Sequence, residues 1–252
     1  NDYLVANASA KAMKCFWDAQ VWTPANIVNI SSLRDAISKP MAKADAEYPY
    51  EGINKITHGI RKGELITITA GSGLGKSQFV KEIGYHILQT TQDRLGLMFM
   101  EESMEKTALS FASLHANKPF HIPTTECTME EKLEAFDAVA LEQRVFMFNH
   151  FGSSDVDDIV ATVRYMAKAL DCKYIMLDHI SIIVSAQSNG DERKAIDEVM
   201  TKLRTMVESR GVSLILVSHL KRPEKKGHEE GAVTSLAQLR GSASIAQLSD
   251  MV

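Results

Sequence analysis

Residues 70–77 read Ala-Gly-Ser-Gly-Leu-Gly-Lys-Ser, a glycine-rich run that ends in a lysine and a hydroxyl. Glycines at this spacing let backbone N–H groups curl around phosphate oxygens, and the lysine can reach the β- and γ-phosphates of a nucleotide. The Ser77 hydroxyl is a suitable ligand for Mg²⁺. Ala70 stands where the motif usually has glycine, a small departure because the position requires only a compact residue. The run predicts a nucleotide-phosphate site formed by Gly71, Ser72, Gly73, Leu74, Gly75, Lys76, Ser77 and Gln78.

Three acidic residues follow apolar runs further along the chain. Glu101 and Glu102 come directly after Met98–Met100, and Asp178 comes after the run 174–177. A carboxylate in the first pair can orient the water that attacks a γ-phosphate, and Asp178 can hold Mg²⁺ together with Ser77. Because neighbouring side chains diverge at a strand end, we expect only one of the two glutamates to face the site. The alternative is that both are solvated acids near the positive end of a helix.

His219 ends another apolar run and can hydrogen-bond a γ-phosphate. Four cations lie in the six residues 221–226 of the loop that follows: Lys221, Arg222, Lys225 and Lys226. A second candidate segment is Arg240, Gly241 and Ser242, and a third is the loop 179–188. Such segments fit a grip on the backbone of single-stranded nucleic acid, although most charge runs are solvated surface loops. Because no aromatic residues are interleaved with the cations, we expect little dependence on base sequence.

The runs that carry these residues alternate with helical patterns from Gly63 onward. The expected strands are Leu65–Thr69, Leu95–Met100, Arg144–Asn149, Tyr174–Leu177 and Val212–Ser218. The expected helices are Lys76–Gln89, one after Ser103, one opened by the capping box Thr128–Glu131, one opened by the box Ser154–Asp157 and running to about Leu170, and Asp191–Ser209. This order, with strands apolar on both faces, predicts an α/β fold with a mostly parallel sheet covered by helices. Ligands then bind beyond the carboxyl ends of the strands, at Ala70, Glu101, His150, Asp178 and His219.

Residues 1–50 differ from the core expected over 51–252. Asp2–Gln20 has apolar residues at helical spacing, and Trp22-Thr23-Pro24 interrupts it. Ser31 or Ser32 is placed to cap a short helix, Leu33–Ser38, and the prolines beyond it suggest a linker. This extension has too little apolar surface to fold alone, so we expect it to pack on its own core or on a neighbouring subunit.

Composition excludes several classes of protein. The chain of 252 residues is 45% hydrophobic and 24% charged with a net charge of -4, which argues against a broad electrostatic grip on nucleic acid. The three cysteines, Cys15, Cys127 and Cys172, lack metal-type spacing and suit reduced thiols. No apolar run approaches the roughly 20 residues needed to cross a bilayer, and no secretory signal is evident. Because the first residue is Asn1, we expect a longer parent protein.

Taken together, these motifs resemble the helicase half of the T7-type phage primase-helicases. They are more distantly similar to the mitochondrial and bacterial replicative helicases. The matching runs cover nearly the whole chain: Ala-Gln-Val-Trp-Thr-Pro (19–24), Ser-Leu-Arg (32–34), Gly-Ser-Gly-Leu-Gly-Lys-Ser (71–77), Glu-Glu-Ser (101–103), Leu-Asp-His-Ile-Ser (177–181), Asp-Glu-Arg-Lys (191–194), Ser-His-Leu-Lys (218–221), His-Glu-Glu-Gly (228–231), Leu-Arg-Gly-Ser (239–242) and Gln-Leu-Ser-Asp (247–250).

The resemblance implies a RecA-like core that hydrolyses ATP or dTTP with Mg²⁺. Such cores form a homo-hexameric ring with nucleotide sites between subunits, and the ring moves on single-stranded DNA and unwinds the duplex at a replication fork. The resemblance places the catalytic base at Glu101 rather than Glu102, the phosphate sensor at His219, and a residue coupling nucleotide state to DNA contact at Gln247. Together with Lys76, Glu101 and His219 form the implied catalytic set. The implied DNA contacts are Lys221, Lys225, Lys226, Arg240, Gly241 and Ser242.

The same resemblance matches residues 1–50 to the linker between primase and helicase, with Ser32–Ser38 as the helix that docks on a neighbouring subunit. A primase domain would precede Asn1, and the family's arginine finger would follow Val252. A replicative DNA polymerase is a further implied partner, and no membrane is involved. The implied location is the cytoplasm of a phage-infected host cell, with an organelle matrix as the alternative.

Three other functions remain open from the residues. A RecA-like strand-exchange recombinase would form open filaments and need no unwinding. A small-molecule phosphotransferase would need a dedicated acceptor pocket. A non-catalytic DNA-binding or scaffolding module is the third, and the intact Lys76, Glu101 and Asp178 argue against it.

Overall fold

A computed structural model gives the fold of residues 28–38, 43–71, 73–140, 143–149, 156–180, 192–220, 234–239 and 243–252. The chain divides into two compact units, Asn1–Lys43 and Ala44–Val252. In the first unit, a 3-10 turn (Ile30–Leu33) continues as helix α1 (Arg34–Ile37). The Asn29 side chain caps the 3-10 turn by accepting from the Ser31 N–H at 3.0 Å. The N-cap of α1 is Leu33, which makes no side-chain capping hydrogen bond, so the predicted cap at Ser31 or Ser32 is wrong. The predicted helix Asp2–Gln20 lies outside the described residues.

The larger unit begins at Ala44, whereas the linker-like composition predicts a start at residue 51. Ala46 forms an antiparallel bridge with Ile60, and both Ala46 and Tyr48 are buried. These contacts join partners far apart in sequence, which local composition does not reveal. The assignment of residues 1–50 as a linker and docking segment stays a prediction.

Five parallel strands form one sheet: β1 (Leu65–Ala70), β2 (Arg94–Phe99), β3 (Val145–Met147), β4 (Cys172–Asp178) and β5 (Ser213–His219). Their order is β1-β5-β4-β2-β3, with every pairing parallel. The predicted parallel α/β architecture is therefore confirmed. The strand predicted over Arg144–Asn149 shortens to β3, which lies at the edge of the described sheet and pairs there with β2.

The helices of the larger unit are α2 (Glu51–Thr57), α3 (Lys76–Thr90), α4 (Met104–Ala116), α5 (Met129–Ala140), α6 (Val156–Lys168), α7 (Glu192–Arg210) and α8 (Ser244–Leu248). The predicted capping box of α5 is confirmed, because the Thr128 Oγ1 accepts from the Glu131 N–H at 3.1 Å and the Glu131 carboxylate accepts from the Thr128 N–H at 2.9 Å. The box predicted at Ser154 lies outside the described residues. Helices α2 and α8 are too short for periodicity to predict. Within the described ranges, none of the helices has the length and apolarity to cross a membrane.

Hydrophobic cores cover both faces of the sheet. Strand β4 shows the division, because Ile175 and Leu177 pack with the core of α6 and α7, while Tyr174 and Met176 pack with that of α3. Alternate side chains of a strand point to opposite faces, so a strand covered on both sides is apolar throughout. The covered sheet is the rigid platform from which the strand ends project.

Helix α3 approaches the sheet closely at Gly84. A Cβ atom at that position would lie 2.9 Å from the Met176 Sδ and 3.2 Å from a methyl of Leu95. The missing side chain lets the helix that follows the glycine-rich run lie directly against β2 and β4. This packing holds the start of α3 beside the end of β4.

Candidate functional site

The carboxyl ends of the strands meet at one edge of the sheet. In the register of the sheet, Ala70 lies beside His219, and Phe99 lies beside Asp178. The Met100 N–H donates to the Asp178 carbonyl at 2.7 Å, so the chain leaving β2 stays close to the end of β4. The sheet therefore collects the glycine-rich run, Glu101, Asp178 and His219 from segments far apart in the sequence.

The glycine-rich run forms a loop between β1 and α3. Gly73 and Gly75 have φ angles of +77° and +81°, a region that side chains with a Cβ seldom adopt. Leu74 between them is exposed, Gly71 is buried, and Ser72 lies outside the described residues. Helix α3 begins at Lys76, so its free N–H groups and positive dipole end face the loop, as phosphate binding requires.

The Lys76 ammonium is buried inside this loop. Its Nζ donates to the carbonyls of Ala70 at 3.1 Å and Gly71 at 2.8 Å. Burial lowers the pKa of Lys76, and the carboxylates of Asp178 and Glu101 act against that shift. The cation is thus held where phosphate oxygens would meet it, between the loop and the acidic groups.

Ser77 and Asp178 are the two residues predicted to hold a metal ion. Burial raises the pKa of Asp178, and a hydrogen bond from the Ser77 side chain acts in the opposite direction. A hydroxyl and a carboxylate are hard oxygen donors of the kind that Mg²⁺ prefers, so the chemistry of this pair fits the predicted metal. Gln78 is exposed on the next position of α3 and donates to the Glu82 carboxylate at 3.4 Å.

The two adjacent glutamates point in different directions. Glu102 is bound by the Lys81 ammonium at 2.5 Å and by the Thr107 hydroxyl at 2.6 Å, within packed structure between α3 and α4. The Glu101 side chain is 56% exposed and faces the site, where one carboxylate oxygen lies 2.8 Å from the Nε2 of His179. A cavity of about 450 Å³ opens beside Glu101. Of these two glutamates, Glu101 has the more exposed carboxylate and is the better placed to meet water.

His179 is a site residue that the sequence pattern does not identify. It follows Asp178 directly, where the pattern predicts the first residue of a loop. Its ring is buried and packs edge to face against His219, with 4.0 Å between ring centroids. One carboxylate oxygen of Glu101 and one ring nitrogen each of His179 and His219 lie within 4.8 Å of one another. The one sequence signal that points to His179 is its position next to a strand-end aspartate.

Of the remaining predicted site residues, the structure describes Gln247. Gln247 is exposed on α8, which packs against α7 and β1. Six DNA-contact candidates lie outside the described residues: Lys221, Lys225, Lys226, Arg240, Gly241 and Ser242. The third candidate segment, the loop 179–188, is described only at His179 and Ile180. Leu220 and Leu239, which directly precede Lys221 and Arg240 in the chain, form an antiparallel bridge. These two protein segments predicted to contact DNA therefore start side by side.

The chain has curated relatives with related sequences. The chain is 36% identical over 247 residues to the DNA helicase/primase of Enterobacteria phage T3, covering 94% of this chain and 43% of the relative. It is 22% identical over 203 residues to the replicative DNA helicase DnaB of Geobacillus stearothermophilus, covering 79% of this chain and 44% of that protein. The chain therefore spans less than half the length of these relatives.

Solved structures show the same fold. The ATPase domain of G40P superposes with a TM-score of 0.66 at 16% identity, covering 88% of this chain and 80% of that chain. A DnaB-like replicative helicase, solved to study its interactions with primase, has a TM-score of 0.68 at 15% identity and covers 98% and 59%. These similarities confirm the predicted RecA-like ATPase fold. A family model described as the DnaB-like helicase C-terminal domain matches residues 47–252, and the chain belongs to that family.

Proposed function

We propose that this chain is the motor of a DNA helicase that hydrolyses a nucleoside triphosphate, ATP or dTTP, while it translocates on single-stranded DNA. The observation that carries the proposal is the meeting of Lys76, Ser77, Asp178 and Glu101 at one sheet edge. Each of these residues has the chemistry that one part of phosphoryl transfer requires.

The glycine-rich loop and Lys76 bind the phosphates. Backbone N–H groups of the loop and of the start of α3 are available to bind an anion, and the Lys76 ammonium is already held beside them. Exchanging the carbonyl partners of Lys76 for phosphate oxygens would pair the ammonium with an anion, so that each hydrogen bond joins two charged groups. Ser77 and Asp178 would hold Mg²⁺, which neutralises charge on the β- and γ-phosphates.

Glu101 orients the attacking water. Its second carboxylate oxygen can accept a hydrogen bond from water while the first stays on His179. Glu102 is less suited to this part, because its side chain is only 11% exposed, against 56% for Glu101, and it forms an ion pair with Lys81. His219, at the end of β5, is the proposed contact to the γ-phosphate, and Gln247 is the proposed link between nucleotide state and DNA contact.

Movement on DNA needs cations near this edge. We assign the contacts with the phosphate backbone to the side chains of Lys221, Lys225, Lys226 and Arg240 and to the backbone N–H groups of Gly241 and Ser242. The relatives named as replicative helicase and helicase/primase support DNA unwinding as the activity. The proposed assembly is a homo-hexamer with nucleotide sites between subunits, working with a primase domain and a replicative DNA polymerase. The phage relative supports a site of action in the cytoplasm of an infected host cell.

Nucleotide hydrolysis and forked-duplex unwinding by the complete protein test the proposal. We expect hydrolysis that single-stranded DNA stimulates, and unwinding that requires it. Lys76→Ala should abolish both activities, whereas Lys168→Ala, which removes an exposed lysine at the end of α6, should leave both unchanged. A rate of hydrolysis that single-stranded DNA does not change would contradict the proposal. Strand exchange on open filaments without unwinding would favour a recombinase.

A further inference from the structure

His179 contacts both Glu101 and His219. Its side chain is 6% exposed, so its ring is held by surrounding structure, whereas the Glu101 side chain is 56% exposed. The Nε2 atom lies 2.8 Å from one oxygen of Glu101, and the same ring packs against His219. A fixed group therefore contacts both the proposed base and the proposed phosphate sensor.

The hydrogen bond has a defined direction. An ionised carboxylate can only accept, so the Nε2 atom of His179 must carry the proton and donate. The other nitrogen, Nδ1, is buried and has no hydrogen-bond partner among the described residues. Of the two ring nitrogens of His179, Nε2 is thus the one with a hydrogen-bond partner among the described residues, and that partner is Glu101.

An exposed glutamate samples several rotamers unless a partner holds it. A base that orients water gains rate only when its carboxylate is already in place. Holding one oxygen of Glu101 leaves the other free to accept from water. The edge-to-face contact also fixes the distance between His219 and the group that holds the base.

We propose that His179 is a positioning residue that sets the Glu101 carboxylate and keeps it in register with His219. The inference rests on the proposed function, because it takes Glu101 as the base. It adds a residue whose contribution to turnover runs through Glu101 rather than through nucleotide or metal.

Four substitutions of His179 in the complete protein test this role. His179→Ala should lower kcat by about 10- to 100-fold, the effect of losing a hydrogen bond to a charged group. His179→Gln should restore most of kcat, because its amide nitrogen can reach the place of Nε2. His179→Asn, whose amide reaches only the place of Nδ1, and His179→Leu, which fills the space, should remain as slow as His179→Ala.

The affinity for nucleotide and the Mg²⁺ concentration for half-maximal rate should stay unchanged in all four variants. A shift in either would show that His179 acts through Asp178 and would overturn the proposal. Equal rates for His179→Gln and His179→Leu would overturn it too, because space-filling would then suffice.

A double-mutant cycle separates this inference from the function on which it rests. In a Glu101→Gln background, His179→Ala should cause no further loss of turnover, since its partner has already lost its charge. Independent, multiplying losses would refute the positioning role alone. Absence of nucleotide hydrolysis in the unsubstituted protein would instead refute the proposed function.

Discussion

Replacing Glu102 by glutamine tests whether the two adjacent glutamates have different tasks. Glu102 and Lys81 form an ion pair at 2.5 Å, with side chains only 11% and 5% exposed. Removing one charge from a buried pair leaves the other uncompensated, which costs about 3–5 kcal/mol. Lys81 would keep the Ser110 hydroxyl at 3.2 Å and the face of the Phe99 ring at 5.3 Å. We therefore expect Glu102→Gln to lower the free energy of unfolding by about 3 kcal/mol, the low end of that range.

Glu101→Gln is the matched control, since it makes the same chemical change one residue earlier at an exposed side chain. Its free energy of unfolding should stay within about 0.5 kcal/mol of the unsubstituted protein. Its turnover should fall by about 10²–10⁴-fold, the usual contribution of a general base, with nucleotide affinity retained. Urea unfolding followed by circular dichroism gives the stabilities, and steady-state hydrolysis gives the turnover.

A second substitution checks the cause of the Glu102 effect. Lys81→Met combined with Glu102→Gln removes the cation that lost its partner. The double variant should therefore have a larger free energy of unfolding than Glu102→Gln alone. If Glu102→Gln were as stable as the unsubstituted protein, the buried ion pair would not have the importance argued above. If it lost turnover as completely as Glu101→Gln while staying folded, the assignment of the base to Glu101 would fail.

Three further predictions concern the metal, the DNA contacts and a helix cap. Asp178→Asn should raise the Mg²⁺ concentration for half-maximal hydrolysis at least about tenfold, because a neutral amide is a weaker ligand for a hard cation; an unchanged Mg²⁺ titration would exclude Asp178 as a ligand. Lys221→Ala should weaken DNA binding and make the dependence of log K on log salt shallower by about one, measured against Lys168→Ala; an equal slope would remove Lys221 from the contacts. Thr128→Ala should cost about 1 kcal/mol in urea unfolding without altering hydrolysis, and no loss of stability would contradict the capping box.

Much of the fold follows from local patterns. The order of apolar runs and helical periods predicts the parallel sheet, and the observed strands begin and end within a few residues of the predicted ones. Runs that are buried on both faces are apolar throughout, and this signal is visible in one sequence. The short helices α2 and α8 were beyond prediction, because each has too few turns to show a helical period.

The phosphate loop could be predicted because its chemistry lies in adjacent residues. Backbone N–H groups, the Lys76 ammonium and the Ser77 hydroxyl all come from one stretch of chain, so spacing alone identifies what they can bind. Asp178 and His219 could be proposed as partners because parallel strands end at the same edge.

The division of labour between Glu101 and Glu102 depends on packing instead. Their side chains have the same chemistry and neighbouring positions, and what separates them is Lys81, which α3 brings to Glu102 but not to Glu101. The contact of His179 with both Glu101 and His219 likewise joins three strand ends that are distant in the sequence. Chemical type is a property of each residue, whereas direction, burial and partner exist only once helices and strands have packed.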